Sequence, residues 1–231
     1  MSRLLAALLL ALPVAAVQAT EVVDDFENGN PNQWGFINNS GVVGSINPEG
    51  GNPGAWADST EPYRSDHPNF TSWPPAGSEL AAALASGTLH SLSLDFERVE
   101  SSCFPGYDLP SAMSVQLVDT HSDPGGAWIT AHTLDGPAMP TAAAPWNRVS
   151  FTIPSESTDA TPANWQIDAP PELNYTWQDM MHNTDLISVF AINPSDITYD
   201  ACWHLGVDNV VVTYGDAPDD VFVSGFENAS R

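Results

Sequence analysis

Alternation of apolar and polar residues with a period of two constrains this chain more than any other feature. Leu92, Leu94 and Phe96 alternate with Ser93, Asp95 and Glu97. Met113, Val115 and Leu117 alternate with Ser114 and Gln116, and Val149, Phe151 and Ile153 with Ser150 and Thr152. Successive side chains of a strand point to opposite faces, so this period sets one face on a core and the other in water. Two later runs, Leu186 to Ile192 and Val207 to Val212, are apolar on both faces and read as central strands. Weaker strand candidates are 21–27, 41–46, 54–59 and 127–134.

Turn-forming residues separate these runs. The stretch from Asn47 to Pro53 holds two prolines and two glycines, and the chain has 20 prolines in all. That many prolines favour loops and edge strands over helices. Two short helices are expected: one over 78–85 with Ser78 as its cap, and one starting at Thr176, with Asp179 closing a capping box, to about His182. About ten strands with so little helix predict an all-β fold, an antiparallel β-sandwich or jelly roll.

The first twenty residues belong to a different kind of segment. Arg3 precedes an apolar run from Leu4 to Val17, with Val17 and Ala19 as small residues before a cut. This is the pattern of a secretory signal peptide, and the run is short for a membrane span, which needs about 20 apolar residues. The alternative is an N-terminal core helix, although the run has no polar face. The expected organisation is a signal peptide over 1–19, a sandwich domain over 20–215, and a linker with a tail over 216–231. The mature chain of about 212 residues suits one sizeable core. It is expected to be secreted or held at the cell surface, without a membrane span.

There is no lysine, and 5 arginines face 29 carboxylates, for a formal net charge of -24. Such a surface repels phosphate backbones, which argues against nucleic acid as a partner. The acid gives either solubility outside the cell or oxygen ligands for a divalent cation such as calcium. The two cysteines, Cys103 and Cys202, are expected to form a disulfide in an oxidising compartment, two buried free thiols being the alternative. Cys103 follows one predicted strand and Cys202 precedes the last. The bond fits if those strands are antiparallel neighbours.

Motifs of chemistry are scarce. The chain has no nucleophile elbow, no zinc-protease helix, no P-loop and no dinucleotide fingerprint. No two of the six histidines have a spacing that argues for zinc, and His90 and His132 fall on predicted strands as sheet-face residues. The segment EPYRSDHPNF at 61–70 offers Glu61, Arg64, Asp66 and His67, either as a solvated loop or as a source of acid and base groups. Of the eight tryptophans, Trp34, Trp146 and Trp203 border apolar strands and are expected in the core. Trp56, Tyr63, Trp73 and Trp128 lie in or beside Pro/Gly-rich segments. They are the candidate ligand-binding residues, since flat aromatic faces stack on sugar rings; core packing is the alternative for each.

Three segments carry a resemblance. VVDDFENGNPNQWGF at 22–36 resembles the opening of secreted bacterial jelly-roll modules, LGVDNVVVTYG at 205–215 resembles their closing strand, and EGGNPGAWADS at 49–59 followed by GTLHSLSLDF at 87–96 resembles laminin-IV-like domains. The resemblance implies a galactose-binding-like jelly roll related to carbohydrate-binding modules. It also implies a structural calcium between first and last strands, with Glu27 and Asp208 at the acidic positions as metal ligands; otherwise these two are capping or surface groups. The tail DDVFVSGFENASR, from Asp219, resembles a short Phe-x-x-Gly-Phe-Glu ending of secreted proteobacterial proteins, which implies sorting or attachment.

Three functions stay open on the sequence. One is a non-catalytic module that binds an extracellular glycan or another cell-surface component. The second is a structural or adhesive surface protein without a small ligand, and the third a glycan-cleaving jelly-roll enzyme. An exposed groove that gathers the candidate aromatics favours the first, and two carboxylates facing across a cleft favour the third.

Overall fold

The computed structural model describes residues 19–38, 41–42, 44–59, 69–100, 112–140, 145–155, 159–190 and 204–215. Two antiparallel sheets pack face to face. In chain order the elements are β1 (Thr20–Asp24), β2 (Trp34–Asn38), β3 (Gly41–Val42), β4 (Ser45–Gly51), β5 (Gly54–Asp58), β6 (Asn69–Ser72), α1 (Glu79–Ala85), β7 (Leu89–Glu100), β8 (Ser114–Asp119), β9 (Ile129–Thr133), β10 (Asn147–Thr152), β11 (Trp165–Asp168), α2 (Trp177–Asn183), β12 (Leu186–Phe190) and β13 (His204–Tyr214). The six-stranded sheet has the order β10-β7-β13-β5-β4, with β1 also on β13; the seven-stranded sheet has the order β11-β9-β8-β12-β6-β2-β3. Pairing of strands far apart in the chain, such as β1 with β13 and β6 with β12, makes this the expected jelly-roll sandwich rather than a meander.

The alternating segments behave as their period requires. Leu92, Leu94 and Phe96 of β7, Val115 and Leu117 of β8, and Val149 and Phe151 of β10 are buried. Between the sheets they meet Phe36, Phe70, Ile129, Ile187 and Val207 in one core. Both runs that are apolar on two faces are central: β12 lies between β8 and β6, and β13 lies between β7 on one edge and β5 and β1 on the other. The expected strand over 41–46 is two strands. β3 pairs with β2 in one sheet and β4 with β5 in the other, so the chain changes sheets there. The stretch from Asn47 to Pro53, read as a turn, is strand as far as Gly51, with an irregular register between Asn47 and Gly51.

Both helices start where the caps place them. Ser78 accepts from Ala81 N at 3.2 Å, and Thr176 and Asp179 form the reciprocal capping box. A seven-residue helix is too short to stand alone, and its stability comes from packing. Leu80, Ala83 and Leu84 form one buried face of α1; Trp177, Met180 and Met181 form that of α2. The helices pack on each other, and α2 also packs on β8. Trp165 and Trp177 meet edge to face at 4.9 Å, and Trp34 stacks on Phe70 at 5.1 Å. Trp34 is in the core as expected, Trp146 is half-buried, and Trp203 lies outside the described residues.

Cys103, Cys202, the 61–68 segment and the 216–231 tail also lie outside the described residues. The strands flanking the cysteines are antiparallel neighbours, with Glu100 at the end of β7 opposite His204 at the start of β13. Among the described residues no helix is long and apolar enough to cross a membrane.

Candidate functional site

Four neighbouring strands of the larger sheet, β9, β8, β12 and β6, bring their ends together. β6 ends at Ser72 and leads into Trp73 and Pro74; β8 ends at Asp119 and leads into Thr120 and His121. Trp128 comes just before β9, and Asp185 just before β12. Antiparallel pairing puts these two exits and two entrances at the same end of the sheet. There Trp73, Pro74, Thr120, His121, Trp128, Asp185 and Leu186 line a groove of about 390 Å³. Trp128 is 55% exposed, although a large apolar side chain is usually sheltered.

Carboxylates shape the loop that carries Trp128. Asp119 Oδ1 accepts from His121 N at 2.8 Å and from Ser122 N at 3.0 Å. Asp123 accepts from Gly125 N at 3.1 Å and Ala127 N at 2.8 Å. Each is an Asp side chain folding the backbone two to four residues on. Asp119 is fully buried, and its Oδ2 accepts from Tyr175 Oη at 2.6 Å. Burial acts to raise its pKa, but hydrogen bonds from Ser122, Tyr175 and the backbone of His121 and Ser122 outweigh it and hold the carboxyl below the ordinary range. For the Tyr175 hydroxyl, burial comes first and the Asp119 carboxylate second, and together they push its pKa up.

On the groove wall, Asp185 Oδ2 gathers three donors: Thr120 N at 3.2 Å, Thr120 Oγ1 at 2.6 Å and His121 Nδ1 at 2.6 Å. A carboxylate only accepts, so the His121 ring is the donor of this contact when Nδ1 carries a proton. His121 has 84% of its side chain exposed.

The other candidate residues lie elsewhere. Trp56 is on β5 in the other sheet and is only 8% exposed; its Nε1 donates to Glu49 O at 2.9 Å, and its ring meets Trp146 edge to face at 5.6 Å. Alternation along β5 puts Ala55 and Ala57 in the core and Trp56 on the other face, where Trp146 and His204 cover its ring. Tyr63 lies outside the described residues. His90 and His132 are strand residues as expected; His132 is buried beside Asp168 at 3.3 Å.

Glu27 and Asp208 face one loop, residues 51–55. Glu27 Oε1 accepts from Ala55 N at 2.8 Å. Asp208 Oδ2 accepts from Asn52 N at 2.6 Å, and Oδ1 from Asn209 N at 2.7 Å. Their approach follows from β13, whose register breaks between Asp208 and Val211 and where Asn209 takes a φ of 46°. On one edge of β13 that break falls where β1 ends and β5 begins. Asp95, opposite Asp208 on β7, accepts from Asn209 Nδ2 at 2.9 Å and pairs with Arg148 at 3.3 Å. Burial raises the pKa of Asp208, with the charges of Asp95 and Glu27 adding, while the Asn52 and Asn209 N–H groups oppose it.

Thr120, His121 and Asp185 were not singled out by the sequence. Asp119-x-His121 was visible as a local pair, but Asp185 is 64 positions from His121. Compared with known proteins, the chain matches no family model and no curated sequence.

Proposed function

We propose that this chain is an extracellular, non-catalytic module that binds carbohydrate in the groove between Trp73 and Trp128, with a calcium ion stabilising the fold at Glu27 and Asp208. The observation that carries the reading is the exposed face of Trp128 in one groove with Trp73 and the polar groups of Thr120, His121 and Asp185. An aromatic face offers apolar stacking for a sugar ring, and fixed donors and acceptors beside it select the ring's hydroxyls. These groups stand at strand ends of a rigid sandwich, the placement that binding loops favour.

A hard cation takes carboxylate and carbonyl oxygens, and Glu27 and Asp208 keep lone pairs beyond those that accept from Ala55, Asn52 and Asn209 N. A Cβ added at Gly54 would land on the Glu27 carboxylate, and one at Gly51 would come within 2.7 Å of both Asp208 Oδ2 and Ala55 O. The loop thus needs glycine at both positions to come this close to the two carboxylates. The charges of Asp95 and Glu27 act on Asp208 there, and Arg148 pairs with Asp95. A divalent ion offsets the remaining repulsion, and waters complete its six to eight oxygens.

The test is a glycan panel with the mature chain, followed by titration of the best binder. Trp73→Ala and Trp128→Ala should each weaken binding about tenfold or more, roughly 1.4 kcal/mol, without altering the melting temperature of Trp128→Ala. Absence of any glycan binder would favour the structural or adhesive alternative. Release of new reducing ends from the bound glycan would favour the enzyme. Calcium should raise the melting temperature of the wild type and leave that of Glu27→Gln unchanged.

A further inference from the structure

We propose that Asp119, His121 and Asp185 form a divalent-cation site on the groove wall, of the zinc or manganese class and separate from the calcium site above. One ligand atom from each residue lies within 4.8 Å of the other two. They come from the end of β8, the loop behind it and the residue before β12, so two adjacent strands fix two of the three ligands. Thr120 N–H and Oγ–H pin the Asp185 carboxylate, and Tyr175 with the backbone of His121 and Ser122 pins that of Asp119. Such outer hydrogen bonds orient the ligands of a metal and are as much a part of its site as the ligands themselves.

An independent observation points to a missing partner. Asp185 Oδ1 is shut off from solvent and accepts no hydrogen bond among the described residues. A buried carboxylate oxygen left without a partner is costly, and native structures seldom retain one without a reason. No arginine among the described residues bonds either carboxylate; Arg148 is committed to Asp95, Ser93 and Asn209. A cation held by the two carboxylates and by His121 Nδ1, where it would take the place of the proton shared with Asp185, would supply the missing charge.

The donor set chooses the ion. Two carboxylate oxygens with one imidazole nitrogen suit zinc or manganese, whereas calcium takes oxygen ligands only. Three protein ligands leave coordination positions open, as in zinc sites that also hold water or substrate. His121 and Asp185 line the groove with Trp73 and Trp128, so those positions are open to whatever the groove holds. On the carbohydrate reading, adjacent sugar hydroxyls would fill them; metal binding itself does not depend on that reading.

The experiment is calorimetric titration of the chelator-stripped full mature chain with zinc chloride and, separately, manganese chloride, with no glycan present. One of the two ions should bind at a single site of micromolar or tighter affinity. His121→Ala should weaken it at least tenfold while keeping the wild-type melting temperature, because the ring is exposed. Asp185→Asn should weaken it similarly, and Glu27→Gln with Asp208→Asn should leave it unchanged. No binding of either ion by the wild type would overturn the proposal, as would affinity unchanged in His121→Ala. Since the readout is metal alone, failure of the glycan panel leaves this result standing, and the reverse also holds.

Discussion

Trp34 Nε1 donates a 2.8 Å hydrogen bond to Asp24 Oδ2, which ties the start of β2 to the end of β1 inside the core. Asn32 Nδ2 donates to the same oxygen at 2.7 Å, while Asp24 Oδ1 is buried with no partner among the described residues. Burial raises the Asp24 pKa; the hydrogen bonds from Asn32 and Trp34 oppose it, and the charges of Asp25 and Glu79 add to it. A carboxyl whose folded pKa exceeds its unfolded value holds its proton more tightly when folded. Its stabilising effect is full below the unfolded pKa and is lost as pH rises through the folded one. Asp24→Asn keeps an oxygen acceptor for both donors and has no proton to lose. Relative to this variant, the wild type should lose stability between the acid range and neutrality, as read from denaturant unfolding at a series of pH values. A difference between the two that does not change with pH would reject the assignment.

Gly54 has a φ of +86°, and a side chain there would collide with the carboxylate that Glu27 turns toward Ala55 N. Gly54→Ala therefore carries backbone strain of about 1 kcal/mol, and a lost hydrogen bond adds about as much again. In a domain of this size each kcal/mol lowers the melting temperature by about 2–4 °C. A fall of several degrees, with loss of any rise on adding calcium, is expected in a thermal-unfolding series. An unaltered response to calcium would separate the ion from this loop.

The tryptophans divide by burial, and so should their effects on stability. Trp177 is fully buried at the start of α2, donates to Pro154 O at 3.0 Å and packs on Trp165. Trp177→Ala should cost about 3–5 kcal/mol. Thr176→Ala, next to it, removes the helix cap and should cost about 1 kcal/mol. Trp128→Ala should stay within about 0.5 kcal/mol of the wild type. Denaturant midpoints of the three variants test the ranking.

Sequence pattern located the sheets because the period of two is a local property. It placed Leu94, Val115 and Phe151 inward, and it found both helix caps, since Ser78 and Thr176 act on residues three positions ahead. Two features escaped it. The change of sheet between β3 and β4 depends on which strands lie alongside, which period alone does not encode. The groove is assembled from four separate chain segments, and only two of its aromatics, Trp73 and Trp128, were legible from their surroundings. Trp56 had the same kind of surroundings and proved buried, because its strand faces the packing of Trp146. Asp185 carried no local signal, since its partners are set by the register of β12 on β8.

That register logic also bears on the two cysteines. Glu100 closes β7 opposite His204, the first residue of β13, and the two strands stay paired to Leu89 and Tyr214. Cys103 lies three positions beyond Glu100, and Cys202 lies two positions before His204. Because the strands are antiparallel, the chain leaves β7 and enters β13 at the same end of the sheet, with Glu100 opposite His204. Export through the expected signal peptide would put the pair in an oxidising compartment, where such a bond persists. It would close a loop of about 100 residues and stabilise the fold by about 4–5 kcal/mol in the chain-entropy model. A non-reduced digest should yield one cross-linked peptide joining Cys103 to Cys202, and reductant should lower the melting temperature by about 8–20 °C at 2–4 °C per kcal/mol. Two separately alkylated thiols in protein recovered from the export compartment would refute the bond. An intact bond with no loss of stability on reduction would show instead that β7 and β13 hold that end of the sheet by their pairing alone.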